Sequence, residues 1–174
     1  MEVEDNMDKT GNNINRRAFT GVGLGAMAFA LAGQPLGAQT NLTDVERASI
    51  QAARDFHTAT ERLTMESLTR VTSDDVVVWT PGLGPTPHVG REAVFTAWMD
   101  VLTRRNGVGI RADIHEIVFA SGAYVVLTRD DWRVTPEGDE ASAGSNILGF
   151  YGIQGGRVGL WYNGNGARGG GRNP

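Results

Sequence analysis

The apolar residues of this chain recur first at helical spacing and later at alternate positions. Thr43 and Glu46 stand three residues apart, as in a helix capping box, and apolar residues follow at helical spacing. The same spacing predicts a shorter helix over residues 61–71 and a third helix that opens near Gly90 and closes by Gly107. The first part of the pattern therefore indicates three helices.

After residue 108 the hydrophobic period changes to two, which is the period of β-strands. The alternation predicts four strands joined by hairpin signals, over residues 109–119, 123–135, 144–154 and 157–163. An earlier β-branched strand is predicted over residues 76–80, and the polar residues 73–75 separate it from the second helix. This order of elements is α+β, and it predicts a curved antiparallel sheet that forms a cone with three N-terminal helices packed on it.

The strand over residues 123–135 changes from apolar to charged without losing its alternation. Arg129 and Asp131 fall on its apolar face, so burial of that face would bring a guanidinium and a carboxyl group side by side. The arginine lowers the pKa of the carboxyl group and burial raises it, which makes Asp131 a candidate acid–base group. The alternative is an edge strand whose charges are solvated.

Composition narrows the possible functions. The chain has 174 residues, a formal charge of -4 at pH 7 and no cysteine. Its length suits one domain, and the lack of a basic cluster outside the N-terminus argues against nucleic-acid binding. The histidines lack metal-ligand spacing and no phosphate-binding glycine loop is present, so neither a metal nor a nucleotide cofactor is expected. His57 is expected to interact with the dipole at the end of the first helix.

The N-terminus has the features of an export signal over residues 1–38. The paired residues Arg16 and Arg17 precede an uncharged, Gly- and Ala-rich run over residues 21–36. This arrangement predicts a twin-arginine signal peptide, and hence a periplasmic or secreted protein. The run is too short for a stable membrane span, and the alternative is a disordered basic tail. At the other terminus, residues 164–174 are predicted to be a disordered Gly-rich tail.

Two segments around the loop that follows the first strand carry a family resemblance. They are Asp74-Asp75-Val76-Val77-Val78 and Val89-Gly90-Arg91-Glu92-Ala93-Val94, and they resemble the nuclear transport factor two-like superfamily. Residues 129–131, Arg-Asp-Asp, match the Arg-x-Asp that limonene epoxide hydrolases carry on their central strand. Over about residues 42–163 the chain is therefore most similar to the limonene epoxide hydrolase and SnoaL-like polyketide cyclase branch. The resemblance implies a cone-shaped pocket for a small hydrophobic molecule. It also implies a homodimer formed through the outer sheet face, near Asp130 and Trp132.

The resemblance assigns roles to individual residues. In limonene epoxide hydrolases the Asp at the place of Asp131 donates a proton to the epoxide oxygen, and the Arg at the place of Arg129 bridges it to a second Asp. That second Asp, which activates water, falls at Asn163 here, while a Tyr and an Asn that hold the water read Val78 and Thr80. An amide cannot take a proton at neutral pH, so Asn163 can only orient a group. The acid and the bridging arginine are therefore present, and the base and both water ligands are changed.

The remaining set favours an exported enzyme that moves protons on a small hydrophobic substrate, either epoxide hydrolase-like or an isomerase, lyase or cyclase. Its expected catalytic residues are Asp131, Arg129 and Asn163, and its expected substrate-binding residues are Val78, Thr80, Trp98, Ile147, Phe150 and Trp161. Two alternatives stay open. One is a binding protein for an apolar ligand on the same fold, and the other is a dimeric interaction module whose cavity is filled by its own side chains.

Overall fold

The computed structural model describes residues 42–165. The predicted signal peptide, residues 1–38, lies outside the described residues, as do residues 166–174 of the predicted tail. Residues 164 and 165 complete the last strand of the sheet and so do not belong to the predicted tail. No helix within residues 42–165 is both long and apolar enough to cross a membrane.

In the described part of the chain, three α-helices lie at the predicted places, before or between the strands. They are α1 (Asp44–Thr60), α2 (Met65–Val71) and α3 (Arg91–Arg104). The capping box of α1 is confirmed, because the Thr43 side chain accepts from the Glu46 N–H while the Glu46 carboxylate accepts from the Thr43 N–H. Helix α2 begins four residues later than predicted, because Thr64 and Ser67 form a second capping box there.

Within residues 42–165, six strands form one sheet. They are β1 (Thr72–Trp79), β2 (His88–Val89), β3 (Gly109–Ser121), β4 (Tyr124–Val134), β5 (Glu140–Gln154) and β6 (Arg157–Asn165). Their order across the sheet is β2-β1-β6-β5-β4-β3, and a short 3-10 helix over Pro81–Leu83 follows β1. The sheet is curved, does not close, and carries the three helices, so the predicted α+β cone-type architecture is confirmed.

The sheet is mixed, whereas the alternation of the sequence predicted an antiparallel one. Strands β3 to β6 are a continuous antiparallel meander, and β1 joins its edge by running parallel to β6. Parallel pairing needs a long connection, which the chain between β1 and β6 provides. Residues 73–75, predicted as a break, belong to β1, where an irregular register between Thr72 and Val77 leaves Asp74 and Asp75 exposed.

The core lies between the helices and the inner face of the sheet. From the helices it takes Ala53, Phe56, Leu68, Val94, Trp98 and Leu102, and from the strands Val76, Val78, Val125, Leu127, Tyr151, Val158 and Trp161. The ring of Phe56 lies within 6.0 Å of Trp98 and 5.2 Å of Trp161, centroid to centroid. Aromatic packing between α1, α3 and β6 therefore forms one boundary of the space above β4.

The start of β3 passes so close to the end of α1 that only glycine fits there. A Cβ atom at Gly109 would overlap the carbonyl groups of Thr60 and Glu61, which are backbone atoms and cannot turn aside. We expect Gly109→Ala to lower the free energy of unfolding by about 1–3 kcal/mol, because the backbone must shift to admit the methyl group. Urea denaturation measures this loss.

The matched control is Gly82→Ala, where the nearest heavy atom to the new methyl group would be Thr80 Oγ1 at 4.0 Å. This variant should stay within about 0.5 kcal/mol of the wild type. Equal stabilities of the two variants would show that the α1–β3 approach is looser than described.

Candidate active site

A fully buried arginine organises the inner face of the sheet. The side chain of Arg129, on β4, has no exposed surface. Its Nε donates to Asp131 Oδ1 at 2.8 Å, and its Nη2 donates to Asp131 Oδ2 at 3.2 Å. The same Nη2 donates to Asn163 Oδ1 at 2.9 Å, and Nη1 donates to the Tyr151 hydroxyl at 2.9 Å. One guanidinium thus holds three polar side chains from three neighbouring strands.

Asp131 is the carboxyl group of this cluster. It lies on the same face of β4 as Arg129, two residues on, and 12% of its side chain is exposed. Burial raises the pKa of Asp131 above its ordinary value, and the adjacent Arg129 guanidinium opposes part of that rise. A carboxyl group with a raised pKa and a small exposed surface can exchange a proton with a bound molecule.

Asn163 lies beside the carboxyl group, on β6. It is buried, and Arg129 determines how its amide is turned. Because a guanidinium has only donors, the amide oxygen must face it, and the amide nitrogen must face the other way. That nitrogen donates to the Thr80 hydroxyl at 3.3 Å, just after β1. The parallel pairing of β1 with β6 is what brings Thr80 to this position.

Tyr151 and His57 extend the hydrogen-bond network of Arg129 to α1. The Tyr151 hydroxyl lies 2.5 Å from His57 Nε2, on α1. Since Tyr151 accepts from Arg129, its own proton is free to go to His57 Nε2, which must then be the unprotonated ring nitrogen. Burial first, and the Arg129 charge second, hold the pKa of His57 well below its ordinary value, so this histidine is neutral. Burial raises the pKa of Tyr151, so the phenol keeps its proton.

The Trp161 indole nitrogen lies near the same hydroxyl but without the geometry of a hydrogen bond. The Trp161 ring also lies 5.6 Å from the Arg129 guanidinium carbon, a cation–π distance.

A cavity of about 240 Å³ lies over the carboxyl group. Six of the residues predicted for the site line it, namely Asp131, Asn163, Thr80, Trp98, Ile147 and Trp161. Ile110, Val101 and Leu83 complete its apolar wall and were not predicted. Arg129 lies beneath the cavity and acts on it through Asp131 and Asn163. A wider cleft along α3 and β2 opens to solvent and holds none of these polar groups.

Two predicted substrate-binding residues do not line the cavity. Val78 is fully buried in the core, where it is the register partner of Trp161. Phe150 follows Gly149 on β5 and so points to the outer face of the sheet, where its ring stacks on Tyr124 at 5.7 Å. Strand alternation keeps Phe150 out of the cavity lining, and burial beneath the helices keeps Val78 out of it.

The outer face of β4 carries the two residues predicted for it. Asp130 accepts from the backbone N–H of Asn146 at 2.8 Å and pairs with His115 Nε2 at 3.2 Å. Trp132 lies beneath the Arg111 guanidinium at 5.8 Å. Asp130 therefore provides a carboxyl group on the same strand as Asp131 that cannot reach the cavity.

His57 and Tyr151 were missed as members of the site. His57 was expected to interact with the dipole at the end of α1, but it is buried and bonded to Tyr151. The available signal was its spacing: it follows Ala53 by four residues and precedes Thr60 by three, so it lies on the buried stripe of α1. A histidine on a buried stripe needs a polar partner.

Comparison with known proteins gives one match by sequence and several by structure. The sequence profile of the SnoaL-like domain matches residues 53–160. No curated protein matches the chain. An LEH-like epoxide hydrolase of M. tuberculosis shares 21% identity at a TM-score of 0.52, over 68% of this chain and 82% of that one.

Two further solved structures are similar. Bal32a, from a soil-derived mobile gene cassette, shares 18% identity at a TM-score of 0.54, over 70% of this chain and 91% of that one. A protein of Jannaschia sp. CCS1 assigned as a SnoaL-like polyketide cyclase shares 9% identity at a TM-score of 0.52, over 71% and 89% respectively. At these identities the likeness shows the fold.

The neutral state of His57 predicts an acid-sensitive fold. Its pKa in the folded chain lies well below the ordinary value of 6.5, so below that pH the unfolded chain binds the extra proton. The free energy of unfolding therefore decreases as the pH is lowered below 6.5, by at most about 1.4 kcal/mol per pH unit. We expect His57→Gln to weaken this dependence below pH 6.5. Urea denaturation from pH 7 downwards measures it, and parallel curves for the two proteins would contradict a buried neutral His57.

The backbone at Gly149 makes room for the cluster. A Cβ atom there would collide with Arg129 Nη1 and the Tyr151 hydroxyl. We expect Gly149→Ala to cost about 1–3 kcal/mol of stability, because both groups are fixed by hydrogen bonds. The control is Gly164→Ala on β6, where the new methyl group would make an ordinary contact at 3.6 Å with Tyr162. Unfolding of both variants is measured in urea, and equal stabilities would contradict the described packing.

Proposed function

Since the chain belongs to the SnoaL-like domain family, we propose that it is an enzyme that uses Asp131 to move protons on a small hydrophobic substrate. The fold includes an LEH-like epoxide hydrolase and a protein assigned as a polyketide cyclase. The fold alone does not select a reaction, so the proposal rests on the residues of the cavity.

The observation that carries the proposal is that the Asp131 side chain lines the cavity. Asp131 is buried, its carboxylate is bonded to Arg129, and it lines the cavity. A buried Arg–Asp pair adds little net stability compared with apolar residues of the same size. A buried pair beside a cavity, with a raised carboxyl pKa, is typical of a proton-transfer site.

The neighbours of Asp131 favour a reaction that needs one carboxyl group. Hydrolysis of an epoxide by two carboxyl groups would require Asn163 to accept a proton from water, which an amide cannot do. Isomerisation, bond cleavage of the lyase type and cyclisation each need a single group that removes a proton and returns it. We therefore rank these reactions above epoxide hydrolysis.

The size and lining of the cavity restrict the substrate. Pockets for drug-sized ligands enclose about 300–1,000 Å³. A cavity of about 240 Å³ suits a smaller molecule. Trp98 and Trp161, with Ile147 and Ile110, offer flat and apolar surfaces. A small cyclic or aromatic compound with few polar atoms fits these conditions.

We also propose that the enzyme works outside the cytoplasm and as a homodimer. Export is supported by the paired Arg16 and Arg17 and the apolar run that follows them. Dimer formation is supported by the aromatic residues Tyr124, Phe150 and Trp132 on the outer face of the sheet. Tyr124 is 40% exposed and stacks on Phe150, so the two rings form an aromatic surface on this face.

The proposal predicts that Asp131→Asn strongly reduces turnover. The experiment incubates the purified protein with one panel of apolar epoxides and one of enones and polyaromatic compounds, followed by mass spectrometry. We expect a loss of about 10²–10⁴-fold, because the amide cannot exchange the proton. The matched control is Asp130→Asn, the same substitution one residue earlier on the outer face, which should keep turnover.

The outcomes separate the alternatives. Diol formation that depends on Asp131 would indicate epoxide hydrolysis, and Asp131-dependent change in the second panel would indicate an isomerase, lyase or cyclase. No turnover in either panel, with the same ligand-induced thermal shifts in wild type and Asp131→Asn, would indicate the binding protein and overturn the enzyme proposal.

A further inference from the structure

An arginine without a partner stands at the mouth of the cavity. Arg105 follows the last residue of α3, is exposed to solvent and lines the cavity. Within residues 42–165 its guanidinium makes no hydrogen bond and no ion pair. Because a guanidinium is always protonated in proteins, one end of this mostly apolar space carries a fixed positive charge.

The arginine one residue earlier differs in both respects. Arg104 Nη2 donates to the Asp100 carboxylate at 2.6 Å. Arg104 lines the wider cleft along α3 and does not line the cavity. The two guanidinium groups therefore face different spaces, and the one that faces the cavity is the one that lacks an acidic partner.

The lining of the cavity offers Arg105 no negative charge. In the part of the chain that the structure describes, Asp131 is the one carboxyl group of the lining, and Arg129 already binds both of its oxygens. The walls from β5 and β6 add none, because no acidic residue follows Glu140 in the sequence. Two guanidinium groups, at the mouth and beneath the floor, thus face a single carboxyl group. The cavity is net positive in a chain whose formal charge is -4.

A second arginine adds to this charge. Arg133 lies on the same face of β4 as Asp131, two residues on. Its Nε is buried and has no hydrogen-bond partner in the described residues. Its stem packs under the turn that follows Arg105, since a Cβ atom at Gly107 would lie 2.9 Å from Arg133 Cγ. The positive charge of Arg133 therefore lies beneath the turn that carries Arg105.

A ligand fits this arrangement if it brings a negative charge to the mouth and an apolar body to the interior. A carboxylate is planar and accepts two parallel N–H bonds from one guanidinium. Trp98, Trp161 and Ile147 offer apolar surface to the rest of the molecule. A volume of about 240 Å³ lies below the range for drug-sized ligands, so that body must be compact.

We propose that the cavity binds a compact apolar carboxylate, with its carboxylate group on Arg105 at the mouth and its apolar body against Trp98 and Trp161. This inference rests on the function proposed above and adds an anionic group to the substrate class. It assigns Arg105 to recognition of the ligand and gives it no part in proton transfer.

The test compares two ligands of the same shape that differ in charge. The whole protein is titrated at neutral pH and low salt with cyclohexanecarboxylate and, separately, with the uncharged cyclohexanecarboxamide. Binding is measured by calorimetry, and by tryptophan fluorescence because Trp98 and Trp161 line the cavity. We expect the carboxylate to bind about threefold to tenfold more tightly than the amide. Salt at about 1 M should remove most of this preference, because Arg105 is exposed.

Variants locate the anion. Arg105→Gln should abolish the preference for the carboxylate and leave the affinity for the amide unchanged, since it removes only the charge. The matched control is Arg104→Gln, the same substitution one residue earlier, which should keep the wild-type preference. Arg105→Lys keeps the charge without the two parallel donors and should retain part of the preference. Arg133→Gln should lower it by a smaller factor, because Arg133 does not line the cavity. Circular dichroism checks that each variant is folded.

The inference and the proposed function fail separately. Equal affinities of the two ligands for the wild type would overturn the carboxylate site and leave the proton-transfer enzyme, which Asp131→Asn tests, in place. A preference that survives in Arg105→Gln and is lost in Arg133→Gln would overturn the assignment to Arg105. A preference that depends on Arg105, without any Asp131-dependent turnover, would keep the carboxylate site and overturn the enzyme. Binding of neither ligand would overturn both.

Discussion

The Arg129 guanidinium is the interaction on which the site depends. It is a permanent charge with no exposed surface, and its bonds go to side chains of β4, β5 and β6. A buried charge is tolerated only when its donors are satisfied, so Asp131, Asn163 and Tyr151 are each constrained in orientation as well as position. Gly149 contributes by having no side chain in the space that Arg129 and Tyr151 occupy.

The need to satisfy the donors of Arg129 also determines how the amide of Asn163 is oriented. In the limonene epoxide hydrolases that this chain resembles, the arginine bridges two carboxyl groups. With an amide there, Arg129 still receives an oxygen, but the opposite side of the group changes from acceptor to donor. A change from Asp to Asn at this place thus preserves the packing of the fold and alters the chemistry that the cavity offers.

What could be predicted from the sequence was local. The capping box at Thr43 and the inner face of β4 follow from spacings of three and two residues, and both are observed. The parallel pairing of β1 and the bond between His57 and Tyr151 depend on residues distant in sequence. Nothing in the local pattern of either partner encodes such contacts. Phe150 differs, because strand alternation alone places it on the face of β5 opposite to that of Tyr151, and its aromatic side chain does not change that face.

The two hydrogen bonds that complete the cluster also span long stretches of chain. His57 and Tyr151 are 94 residues apart, and Thr80 and Asn163 are 83 apart. Closing loops of this length costs conformational entropy, which the finished packing must offset. The pocket therefore exists only where parts of the chain that are distant in sequence have come together. A chain with this cluster intact has brought β1, β6, β5 and β4 together beneath α1, so the state of the pocket reports on the pairing of four neighbouring strands.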